Sequence, residues 1–62
     1  MRKLQSIRAD MGINQDEMAK MLSISSKSYK NKEQGKSPLL ARELRAISEM
    51  SGVPETEIEI PK

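Results

Sequence analysis

The stretch QDEMAKMLSISSKSYKNKEQGKSP, from Gln15 to Pro38, constrains this chain more than any other. It reads as a short helix, a tight turn at Ser23-Ile24-Ser25 and a second short helix. In the first helix Met18, Ala19 and Leu22 form an apolar face at spacings of one to four, with Met21 near its edge. Asn14 suits its N-cap, and Asp16 and Glu17 suit its positive end. Ser25 is an N-cap for the second helix, which runs to about Gln34 and ends at Gly35. That second helix has one apolar anchor, Tyr29. It is too polar to hold itself together, so packing must fix it and leave the rest of its surface facing outward. Ile24 fits as a plug between the two.

Around this pair the apolar pattern stays helical. Leu4, Ile7 and Met11 place a first helix over Arg2 to Met11, closed by Gly12. Ser37-Pro38 reads as a cap and first helical residue. A fourth helix follows, with Leu40, Leu44 and Ile47 inward, Leu39 and Met50 flanking, and Gly52 at its end. Val53-Pro54 opens a last short helix anchored by Ile58, and Ile60, Pro61 and Lys62 read as a tail. The alternation in EIEI is too short to define a strand. The expectation is an all-α, compact bundle of about five short helices in one domain, residues 1–62.

With 62 residues, 35% of them hydrophobic and 2% aromatic, the core is small and built from Leu, Ile, Met, Val and Ala. The chain has no Cys and no His. Disulfides, the usual soft-metal sites and the commonest general base are thereby removed, and no cofactor or metal is expected. An enzyme is the least favoured class, and the glutamates near the C-terminus read as a solvated face. No apolar run approaches the roughly 20 residues of a membrane span. The opening MRKLQSIRADMG lacks the apolar core of a signal peptide, so a cytoplasmic protein without membrane association is expected.

The net charge of +2 is unevenly distributed. Residues 1–36 carry eight bases against four acids, and residues 37–62 carry three against five. A basic half that contains the helix pair fits a polyanion partner; an ordinary solvated surface fits equally well.

Gln15, Ala19, Ile24, Tyr29 and Glu33-Gln34-Gly35, together with Ser37-Pro38 and Gly52-Val53, stand at a joint spacing that resembles the Cro and repressor type of helix-turn-helix proteins, the XRE family. The resemblance extends from Leu4 to Ile58. It implies a lambda-repressor-like bundle whose helix near residues 25–34 lies in the DNA major groove. It implies base contacts from Ser26, Lys27 and Asn31. Asn pairs bidentately with adenine, and Lys donates to guanine O6 and N7. Gln15 matches a position that touches the DNA backbone, and Ser25, Ser28, Lys30 and Lys36 are further phosphate candidates. Arg8 and Glu33 match a structural salt bridge between the first helix and the end of the third.

Other readings stand beside these. Ser25 is first a helix cap. Lys30 and Lys36 also fit as solvated lysines, Asn31 as a residue facing water, and Tyr29 as core in preference to a base-stacking ring. Two positions depart from the family pattern. Ser23 takes the turn position usually given to Gly, and Lys32 stands where a bulky apolar residue normally packs inward. The Lys32 stem then lies along the core with its ammonium reaching out, to a phosphate for example, or else the third helix is rotated or loose.

The function implied is a sequence-specific DNA-binding transcriptional regulator, most simply a repressor, and the length suits a Cro-like phage protein or a small bacterial regulator. Its partner would be an inverted-repeat operator in double-stranded DNA, bound by a homodimer paired through an apolar patch at Val53, Ile58 and Ile60. The alternative is a protein-interaction module on the same fold, such as the antitoxin of a toxin–antitoxin pair.

Overall fold

The computed structural model describes residues 1–61, so of the expected tail Lys62 lies outside the described residues. Four α-helices follow one another: α1 Leu4–Met11, α2 Gln15–Met21, α3 Ser26–Glu33 and α4 Ala41–Ser51. A single 3-10 turn, Glu55–Glu57, replaces the expected fifth α-helix. Among the described residues there is no strand, only one isolated parallel bridge between Arg2 and Ile58. Among the described residues no helix is long and apolar enough to cross a membrane.

Helix α1 buries Leu4 and Ile7 and half-buries Met11, the stripe that the spacing predicts. It ends at Gly12, whose φ of 72° is a conformation that Gly adopts without a Cβ clash. The helix begins two residues later than expected. Lys3 is extended and offers no side-chain cap, and Arg2 is engaged elsewhere: its N–H donates to the Glu57 carbonyl at 2.7 Å, and its carbonyl accepts from Glu59 N–H at 2.8 Å. The two ends of the chain are clipped together there.

Helix α2 is capped as expected. Asn14 Oδ1 accepts from the Glu17 N–H at 2.8 Å, and the Glu17 carboxylate accepts from the Asn14 N–H at 3.0 Å. These two bonds satisfy two of the first-turn donors and are worth about 1 kcal/mol. In α3, Ser25 Oγ accepts from Ser28 N–H at 3.1 Å. Between the two helices Ser23 adopts φ 59°, the left-handed conformation that the turn demands. For a non-Gly residue that costs about 1–2 kcal/mol.

Met18, Ala19 and Tyr29 meet Leu4, Ile7, Ile47, Val53 and Ile58 in one core, with Ile24, Leu22, Leu39, Leu44 and Met50 packed on its edge. Each fully buried Leu, Ile or Met contributes roughly 1.5–3 kcal/mol relative to exposure.

Helix α4 corrects two expectations. It starts at Ala41 with Leu40 at the N-cap, not at Ser37-Pro38. The Ser37 N–H is taken by the Asn31 carbonyl at 3.3 Å, whereas the Leu40 N–H donates to the Glu43 carboxylate at 2.8 Å. The Glu43 carboxylate thus caps the helix locally at Leu40, three residues after the Ser-Pro start signal. Leu40, expected inward, is 39% exposed, and the buried residues of this helix are Glu43 and Ile47. The expected apolar dimer patch is also corrected. Val53 and Ile58 belong to the core, at 7% and 1% exposure, which leaves only Ile60 on the surface.

Candidate nucleic-acid interface

The outward face of α3 follows from its buried one. At about 100° per residue, Lys27 and Asn31 stand opposite Tyr29. Tyr29 is fully buried, Lys27 and Lys30 are exposed, and Ser26, Ser28 and Asn31 are half-buried. Among the described residues, Lys27, Lys30 and Lys36 enter no ion pair. Lys27 and Lys30 thus carry exposed ammonium groups on α3 itself, and Lys30 shares a depression with Asp16. The Asn31 carbonyl also holds the segment after Gly35, accepting from the Lys36 N–H at 2.8 Å.

Gln15 and Lys30, both backbone-contact candidates, line one shallow depression of about 180 Å³ with Asn14 and Asp16. Ser25 Oγ accepts the cap bond, which leaves its O–H as a donor. Lys36 lies beyond the end of α3, on the loop toward α4. The structure therefore groups Ser26, Lys27, Lys30 and Asn31 on one short helix, with Gln15 beside them and Lys36 past the end.

Behind this face lies a buried carboxylate. Glu33 Oε2 accepts from Arg8 Nε at 2.9 Å and from the Tyr29 hydroxyl at 2.6 Å. Its Oε1 accepts from Arg8 Nη2 at 3.2 Å and from the Gln15 amide nitrogen at 2.9 Å. Arg8 also donates through Nη1 to the Ile13 carbonyl at 3.3 Å. One side chain on α3 is thus bonded to α1, to the start of α2 and to its own helix. Burial alone would push the Glu33 carboxyl up. The hydrogen bonds from Arg8, Tyr29 and Gln15, with the Arg8 charge, outweigh it and hold the group below its ordinary 4.5. The Arg8 guanidinium is pushed up by its hydrogen bond to Glu33, and the Tyr29 phenol is pushed up by burial and by that same carboxylate.

The expected Arg8–Glu33 salt bridge is therefore present. Gln15 carries a contact beyond its expected role, since its amide nitrogen donates to Glu33 while the residue also lines the depression. Lys32 settles between its readings. The side chain is 12% exposed and its Nζ donates to Glu43 Oε1 at 2.6 Å, so the ammonium turns inward to an acid on α4, not outward to a phosphate.

Reasoning from sequence missed Glu43, and a signal for it existed. Glu43 lies four residues before Ile47, on the inward stripe of α4. An acid there and a base at an apolar position of α3 are two anomalies that answer each other.

No protein-family model matches the chain, and neither the curated proteins nor the solved structures give a significant match. Among the described residues no group of three or more acidic, His or Cys side chains is placed to hold a metal ion.

Proposed function

We propose that this chain is a sequence-specific DNA-binding regulator in which α2, the Ser23 turn and α3 form a helix-turn-helix of the Cro and repressor type. The observation that carries the reading is the division of α3. Tyr29 and Glu33 are buried and bonded behind it, while Lys27 and Asn31 stand opposite Tyr29 with Lys30 on the flank, and among the described residues neither lysine enters an ion pair. A helix too polar to fold alone, fixed from behind and cationic in front, is suited to a polyanionic groove.

In this reading Lys27 and Asn31, with Ser26 at the first turn, address base edges. Gln15, Lys30 and Lys36, with Ser25 and Ser28, address phosphates and set the register. Two copies would present their α3 helices about 34 Å apart to an inverted repeat. Regulation follows from occupancy of the site, and no chemistry is assigned to the chain.

Selection of bound duplexes from a random pool tests this. An enriched inverted repeat is expected, and Asn31→Ala should relax preference at one position of each half-site, by about 1–3 kcal/mol of discrimination. A pool that stays random after repeated rounds refutes the reading.

A further inference from the structure

Tyr29 is the only buried hydrophobic residue on α3. One apolar knob on an eight-residue helix fixes how far the helix sits from the core. It does not fix how the helix is turned about its own axis. The turn matters, because side-chain tips lie about 6 Å from the axis and a 20° rotation carries them roughly 2 Å. A binding face tolerates about 0.5 Å.

Two polar anchors on α3 flank Tyr29. At about 100° per residue, Glu33 lies on one side of it and Lys32 on the other. Glu33 is tied to α1 and α2 through Arg8 and Gln15. Lys32 is tied to α4 through Glu43, whose carboxylate is itself fixed by the Leu40 N–H at 2.8 Å. The side chains of this pair are 12% and 4% exposed. Buried at that depth, an ion pair adds little over apolar packing of the same volume, so its use is directional.

We infer that Lys32 and Glu43 are positioning residues: with the Glu33 cluster they clamp α3 from both sides and set the rotation that decides which side chains its outward face presents. The consequence for base selection rests on the DNA-binding reading; the clamp itself does not.

The test uses Lys32→Met/Glu43→Gln, which removes both charges and keeps an acceptor for the Leu40 N–H. Lys32→Met/Glu43→Met serves if the first variant does not fold. Residual dipolar couplings report the orientation of α3 without DNA. Binding is then compared on the duplex selected by the wild-type chain and on a random duplex. The expected result is an α3 that turns by more than about 10° or averages over orientations. Discrimination between the two duplexes should fall roughly tenfold, while the salt dependence on random DNA is kept. Unchanged couplings overturn the inference whatever the DNA result. A rotated helix with full discrimination overturns its link to base selection. A rotated helix in a chain whose wild type binds no DNA upholds the clamp and refutes the proposed function.

Discussion

Glu33 and Glu43 are both buried acids, and they are held in different ways. Glu33 accepts four hydrogen bonds, from Arg8 twice, Gln15 and Tyr29, and so joins α1, α2 and α3. Glu43 accepts from Lys32 and from the Leu40 N–H, both on Oε1, and joins α3 to the start of α4. Arg is a planar fork that grips a carboxylate in a defined orientation, whereas Lys is a point charge on a flexible stem. The side of α3 that faces α1 and α2 is therefore the rigid one, and the side that faces α4 is the adjustable one. Within a small domain, the orientation of one exposed helix is delegated to two charged contacts of unequal stiffness.

Deleting either base should have the largest effect. Arg8→Ala leaves Glu33 buried without its counter-charge and should cost about 3–5 kcal/mol, enough to unfold much of a chain this small. Lys32→Ala strands Glu43 with one remaining bond and should cost nearer 3 kcal/mol. Urea denaturation measures both. A larger cost at Lys32 would invert the assignment of the rigid side, and equal costs would remove it.

Acid acts on the same buried carboxylate. The Glu33 carboxyl sits below its ordinary 4.5 in the folded chain, so the unfolded chain takes the proton more readily. Its contribution to stability is complete above that ordinary value and is lost as pH falls through the folded one. Stability measured by denaturation should decline across that window, and by less than in Arg8→Ala, since a neutral carboxyl still accepts hydrogen bonds. Glu33→Gln should flatten the decline. An acid limb of the same size in that variant assigns the effect to other carboxylates.

Two smaller substitutions calibrate the frame around the pair. Ser23→Gly relieves a φ of 59° and should stabilise by about 1 kcal/mol, read as a rise in Tm. A loss of stability would mean that the turn is not strained. Lys30→Ala touches neither carboxylate and should leave stability within about 0.5 kcal/mol. On the DNA-binding reading it also lowers the log–log salt slope by about one unit.

What the sequence made legible was local or came through the family resemblance. The periodicity of Leu4, Ile7 and Met11 placed α1, Asn14 and Ser25 announced their caps, and Arg8 and Glu33 were paired by resemblance. What stayed hidden was non-local. The Ser37-Pro38 start signal is an exception of another kind: the helix starts at Ala41, where Glu43 accepts from the Leu40 N–H, so a second local signal lay three residues beyond the first. The pairing of Arg2 with Ile58 is a single bridge between the chain ends and leaves no period to read. Lys32 stood out as misplaced, and its partner Glu43 was an anomaly of the same kind on α4, but pairing the two needs the packing of α3 against α4. On the outward face, Lys27, Lys30 and Asn31 fall where the helical period puts them, since their placement depends only on where Tyr29 is buried.

The central claim is that the face opposite Tyr29 meets DNA. Binding of the wild-type chain to a random-sequence duplex, followed from low to physiological salt, tests it most directly. The expected result is weak binding whose log affinity falls linearly with log salt, with a slope of about −2 to −3 per chain for Lys27, Lys30 and Lys36. No binding at low salt, or binding indifferent to salt, contradicts it.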